Sequence, residues 1–281
     1  MMAGGSAPLG AVGMGLTAAT LWGGSDFAGG LGARRAPALM VVGSGQLVTF
    51  LLLIAVCAGV SLPAQRFVLL GLAAGVEGAL ALAVFYRALA MGAMGATAAV
   101  TGVLTAAVPV GFALVSQGWP RGTEWAGLAA GAAAIALVAG RRTTQARRRT
   151  LALGAAAGVG FGVQLVLLKL AAGGGVVWAM TTARAGGLAG VAMVLLLRRG
   201  VRLPRSGYWR MGVAAGLMDA LGNGAYMVAA GAGRMEVGAM IASMYPVVTM
   251  GLAAVVLREP TSRRQKAGMA LAAAAVVLLS G

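Results

Sequence analysis

The sequence predicts an all-α integral membrane protein: ten transmembrane helices arranged as two inverted five-helix repeats. Three observations lead there. Of 281 residues, 60% are hydrophobic and only 10% charged, where a soluble domain carries about a quarter charged residues. The apolar residues run in blocks of about 20, the length that crosses a bilayer as a helix. Lys and Arg fall in the gaps between these blocks, with a strong bias to one side. The 47 glycines fit the same class, because small residues let membrane helices approach closely where lipid supplies no hydrophobic drive.

Taken in order, the spans are expected at 9–31, 38–60, 68–91, 95–117, 124–140, 151–172, 176–197, 210–232, 237–257 and 266–281. The first has no Lys or Arg ahead of it, so it reads as a retained helix rather than a signal peptide; it carries Trp22, Gly23, Gly24 and Asp26. The second holds Cys57, the single cysteine, which excludes an intramolecular disulfide. The third has Glu77 about nine residues in and Tyr86 further on. The fourth contains Pro109. The fifth and the tenth are near the lower length limit for spanning. The sixth carries Gln164, the seventh Arg184, the eighth Asp219, Asn223 and Tyr226, and the ninth Tyr245 and Pro246.

The basic residues orient this plan. With the N-terminus on one side, the opposite side collects Arg34, Arg35, the arginines of 141–149, those of 198–210, and Arg258, Arg263, Arg264 and Lys266, sixteen in all. The N-terminal side holds three, Arg66, Arg121 and Arg234. By the positive-inside rule the arginine-rich side is cytoplasmic and both termini are extracytoplasmic, in a multi-pass protein of the cytoplasmic (inner) membrane.

The segment RRTTQARRR at 141–149 divides the chain into a first repeat, 1–149 with this linker, and a second, 150–281. Segments 85–99 and 225–239 match at an offset of 140. Segments 20–27 and 159–166 match at 139, and 127–140 and 268–281 at 141. Three weak matches in one order at nearly one offset point to a duplication. Five spans per half make the second half enter the membrane in the opposite sense, an arrangement that places a substrate site near the midplane.

Several motifs give the chain a resemblance to a known family. They are Trp22-Gly23, Tyr86-Arg87-Ala88-Leu89, Pro109, Tyr245-Pro246, and above all Leu257-Arg258-Glu259-Pro260 followed by Gln265 and Gly268. On these the chain resembles the EamA-type members of the drug/metabolite transporter (DMT) superfamily, over nearly its whole length. In the first half the corresponding loop reads Ser116-Gln117-Gly118-Trp119-Pro120, with Gly118 where the family has Glu. The resemblance implies ten helices, a central cavity and transport of small organic metabolites, often as export. Many members of the family place both termini in the cytoplasm; the arginine distribution here predicts the reverse.

An ionised side chain at mid-bilayer costs about 2.5–3.5 kcal/mol on insertion scales, so it should face protein or water. Of six carboxylates, Asp26, Glu77 and Asp219 lie within spans. Glu77 and Asp219 fall at similar depth in repeat-related helices, and either can bind a proton or a cationic substrate group; the plain alternative is a neutral or Arg-paired packing role. Asp26 follows Gly23 and Gly24, which can loosen the helix and free carbonyls toward a cavity; the alternative is interfacial solvation or a pair with Arg34 or Arg35. Arg184 either binds a substrate carboxylate or pairs with a carboxylate of a neighbouring helix, the second being favoured. Gln164 and Asn223 can orient a substrate or bond between helices. Trp22, Phe161, Tyr86, Tyr226 and Tyr245 can form apolar or cation–π walls. Pro109 and Pro246 interrupt the hydrogen-bond ladders of spans four and nine and are candidate gating bends.

Together these readings predict a secondary transporter moving a small organic metabolite, amino acid-like or cationic, by alternating access, with or without proton coupling. The alternatives are an uncoupled facilitator or channel and a non-transporting scaffold. An enzyme is not expected: there is no His, and the loops are too short for a soluble catalytic site. With one Cys and no His, neither a metal nor another cofactor is expected. The expected partners are the small-molecule substrate, the lipid bilayer and protons, with no nucleic acid, in a monomer or homodimer.

Overall fold

The structure is a computed structural model that describes residues 9–91, 94–116, 119, 122–139, 145–197, 207–232, 235–258 and 262–280. Gly118, Arg121, Arg141, Arg142, Arg198, Arg199, Arg202, Arg205, Arg234, Glu259 and Pro260, all invoked above, lie outside the described residues.

The described chain is all-helical: α1 Leu9–Ala33, α2 Ala38–Val56, α3 Gln65–Ala90, α4 Met94–Ser116, α5 Gly122–Ala139, α6 Gln145–Ala171, α7 Val176–Leu197, α8 Tyr208–Ala232, α9 Met235–Ala242, α10 Tyr245–Val256 and α11 Arg263–Ser280. Five stretches are long and apolar enough to cross a membrane, Ala38–Val56, Gln65–Ala90, Arg148–Gly174, Val176–Leu197 and Gly238–Val256. Helices α1 and α8 are long enough at 25 residues each, but glycines and polar side chains dilute their hydropathy. Among those polar residues, Asp26, Asp219 and Asn223 line the site described below.

Two expectations about the spans are corrected. The ninth is not one helix: it breaks at Ser243 and Met244 between α9 and α10, and Pro246 sits in the first turn of α10. A proline there gives up an amide that the helix start leaves unpaired anyway. Pro246 is therefore part of a discontinuity and not a bend within a ladder. The second span is also shorter than expected, ending at Val56, with Cys57 at its cap and Gly59 at a φ of 87°. A left-handed residue cannot continue a helix, and glycine adopts that conformation without a Cβ clash.

Pro109 lies inside a continuous α4. Lacking an N–H, it cannot bond the Thr105 carbonyl one turn earlier.

Helix α1 packs along α8, and α3 along both α6 and α7. Helix α2 lies against α7 and α8, α4 against α6, α10 against α1, and α5 against α11. The main core gathers Trp22, Phe85, Tyr86, Leu165, Tyr226 and Tyr245 where α1, α3, α6, α8 and α10 meet; a second cluster of Val12, Leu128, Met240, Ile241 and Met244 joins α1, α5 and α9.

Glycines set the closest crossings. A Cβ at Gly75 of α3 would land on the Ala183 backbone of α7, and one at Gly45 of α2 on the backbone of Gly212 and Gly216 of α8. Backbone cannot move aside as a side-chain tip can. Gly75→Val should therefore cost about 3 kcal/mol, the upper end of overpacking penalties. The expected result is a clear loss of monodisperse protein on size exclusion and a lowered melting temperature in detergent.

Candidate functional site

Near the centre of the bundle, a small cavity of about 30 Å³ is walled by side chains from six helices. Helix α1 contributes Trp22 and Asp26, α6 Phe161, Gln164 and Leu165, and α8 Asp219 and Asn223. Leu82 of α3, Thr105 of α4 and Tyr245 of α10 complete the lining. The free space is small, but an apolar wall with a few convergent polar groups is the usual composition of small-molecule sites.

The polar groups divide into two sets. On one side Asp219 Oδ2 accepts from Arg184 Nη1 at 2.6 Å and from Asn223 Nδ2 at 3.2 Å. Arg184 Nη1 also donates to Gln46 Oε1 at 3.2 Å. The arginine comes from α7 and its partners from α2 and α8, so the pair ties three helices together. A carboxylate and a guanidinium in contact leave little net charge. Of the two readings of Arg184, the geometry is the interhelical pair.

The other set is unsatisfied. Asp26 is 5% exposed, and its Oδ2 has no hydrogen-bond partner. Arg34 and Arg35, its partners in the alternative reading, are exposed just past the end of α1 and form no ion pair with it. Trp22 Nε1 is likewise buried and unbonded. A buried carboxylate without a partner is costly. Here it faces a cavity flanked by Trp22, Phe161 and Tyr245, with Trp22 and Tyr245 edge to face at 6.3 Å.

Gly23 and Gly24 do not loosen α1, which runs unbroken through them. They bring neighbours in: a Cβ at Gly23 would meet Val248 and the Tyr245 carbonyl of α10, and one at Gly24 the Met218 sulfur of α8. The Gly23 carbonyl accepts from Thr249 Oγ1 at 3.3 Å. Tight packing on that face is what positions Trp22 and Asp26.

Four expected site residues, Glu77, Tyr86, Arg184 and Tyr226, do not line this cavity. Glu77 does not line the cavity; its carboxylate lies against Gly160 of α6, and its residue is partly exposed. Tyr86 and Tyr226 are fully buried and work as clamps. The Tyr86 hydroxyl bonds Ser25 Oγ at 3.1 Å, and that of Tyr226 donates to the Leu165 carbonyl at 3.3 Å. Tyr226 supports Trp22 from behind at 5.8 Å. Tyr86 and Arg184 line a smaller adjoining space with Gln46, which shares Leu82 and Asp219 with the main cavity. Glu77→Gln should leave transport within about twofold of wild type, as expected for a substitution remote from a site; initial-rate flux measurements check this.

Thr105 went unnoticed in the sequence, although a signal exists. Thr97, Thr101 and Thr105 recur every four residues in α4, marking one polar face in an apolar span. Thr101 Oγ1 donates to the Gly154 carbonyl of α6 at 2.8 Å, so this face is the α4–α6 contact.

Residues 148–281 match the EamA-like transporter family. This segment is an EamA-like transporter family domain. The family is one of membrane transporters and not of enzymes. No curated protein matches the chain. A solved crystal structure superposes on this chain with a TM-score of 0.72 over 95% of each chain, at 18% identity, a likeness of fold.

Proposed function

We propose that the transporter moves a small organic metabolite bearing a positively charged nitrogen, either a cation or an amino acid-like zwitterion, across the cytoplasmic membrane. The observation that carries this is Asp26, a buried carboxylate with an open coordination side in an aromatic-walled cavity. A substrate ammonium would supply the missing partner, and Trp22 and Tyr245 would hold its methylenes or its charge by cation–π contact. Asp219 is already committed to Arg184, so its charge is not free for the substrate. Asp26 is also the group able to take a proton when the substrate has left, which would couple transport to protons.

Movement follows an alternating-access scheme in which repeats 1–149 and 150–281, inverted in the membrane, rock around the cavity. Equal spacing in the packing supports a duplicated unit. Tyr86 meets Ser25 and Tyr226 meets Leu165, both pairs 61 residues apart and offset by 140. Gly23 lies against Val248 and the Tyr245 carbonyl, and Gly162 against Val108 and the Thr105 carbonyl, again offset by about 140. The arginine distribution supports extracytoplasmic termini.

A flux screen in proteoliposomes tests the substrate class with three matched sets: organic cations, zwitterionic amino acids and organic anions. Transport confined to the first two is expected. Transport of anions alone would overturn the reading and return Arg184 to the role of substrate ligand.

A further inference from the structure

A second site lies away from the central cavity. A groove of about 500 Å³ opens between the end of α1, the start of α2, the last three turns of α3 and α7, lined by Pro37, Leu39, Leu80, Val84, Arg87 and Val194 among others. It shares no residue with the central cavity. On α3, Leu80 and Val84 lie on a different face from Leu82, which lines the cavity.

Three features of the groove fit one occupant. Along α3 it runs from Leu80 to Met91, eleven residues or about 16 Å at the helical rise. That is half the roughly 30 Å hydrocarbon core, the depth of one leaflet. Its walls are apolar apart from Arg87, and no Asp or Glu lines it. Arg87 is exposed at the end of α3 in the outer third of the groove, on the arginine-rich side of the bundle, with Arg34 and Arg35 exposed beside the groove residues Ala33 and Ala36.

We propose that this groove binds an anionic phospholipid from the leaflet on the arginine-rich side. One acyl chain lies along Leu80, Val84 and Val194, and the headgroup phosphodiester sits on Arg87. The aliphatic stem of Arg87 covers apolar wall while its guanidinium reaches the phosphate depth, as such side chains do at interfaces. A guanidinium offers two parallel N–H donors to phosphate oxygens, and basic pockets between helix ends favour anionic headgroups. A zwitterionic lipid brings its own cation to the same three arginines and is disfavoured.

Native mass spectrometry of the full-length protein in detergent tests this, with phosphatidylglycerol and phosphatidylcholine titrated separately. Wild type should retain one phosphatidylglycerol about tenfold better than phosphatidylcholine, the factor expected for one charge-assisted hydrogen-bonded contact. Arg87→Gln should remove that preference, and Arg87→Lys should keep part of it. Val84→Trp, which fills the groove and leaves Arg87 in place, should reduce retention of both lipids. Glycerol 3-phosphate, a headgroup without chains, should not compete. Equal retention of the two lipids by wild type would overturn the proposal. So would unchanged phosphatidylglycerol retention in Arg87→Gln, or full competition by glycerol 3-phosphate. The wild-type comparison decides even where a variant fails to fold.

Discussion

Asp26→Asn should abolish substrate-dependent flux while leaving the protein folded. The side chain keeps its shape and loses its charge. If a substrate ammonium is the missing partner of Oδ2, removing one side of that desolvated pair costs at least about 2 kcal/mol of substrate affinity, roughly 30-fold. Stability should move the other way or not at all, because Oδ2 bonds nothing in the protein and the substitution relieves an unpaired buried carboxylate. The combination is diagnostic: a structural carboxylate would lose stability, and a binding one loses function and keeps the fold. Flux in proteoliposomes and the melting temperature in detergent, measured on one preparation, are the readouts. Wild-type flux in Asp26→Asn would remove Asp26 from the mechanism.

The second large effect concerns stability. Arg184→Gln should destabilise the fold by about 3–5 kcal/mol, the usual cost of stripping one partner from a buried ion pair. The side chains of Arg184 and Asp219 are 4% and 15% exposed, so water cannot replace the lost contact. Three helices lose their shared anchor at once, since Gln46 on α2 also bonds the arginine. Adding Asp219→Asn should recover much of the loss, because an amide facing an amide leaves no unpaired charge. A double-mutant cycle on melting temperature should show this coupling. Additive losses from the two substitutions would mean that each acts separately and that the pair is not the anchor.

The comparison of Glu77 with Asp219 shows how far a sequence can be read. Both lie about nine residues into their spans, so both were expected to share a depth, and depth depends only on the rise along the helix. Which face a residue occupies depends on rotation, about 100° per residue. At the proposed repeat offset of 140, Glu77 corresponds to Leu217, two residues from Asp219 and so about 200° around the helix. Leu217 is exposed and Asp219 lines the cavity. A shift of two positions, negligible for depth, turned one acid toward Gly160 and left the other in the site.

The same reasoning separates what is local from what is not. Spans, their approximate limits and the one-sided placement of arginines follow from sums over neighbouring residues: about 20 apolar residues must cross lipid as a helix, since no other backbone conformation satisfies its own hydrogen bonds there. The sequence alone therefore determined an all-helical membrane protein with charged residues that demand partners. It could not say which partner each would find. That Arg184 takes Asp219 and leaves Asp26 alone is decided by how α1, α7 and α8 are rotated about their axes. The rotation is set by contacts such as Gly23 against Val248 and Gly75 against Ala183, between residues far apart in the chain. Packing between distant segments, and not composition within one, made Asp26 the open group of the site.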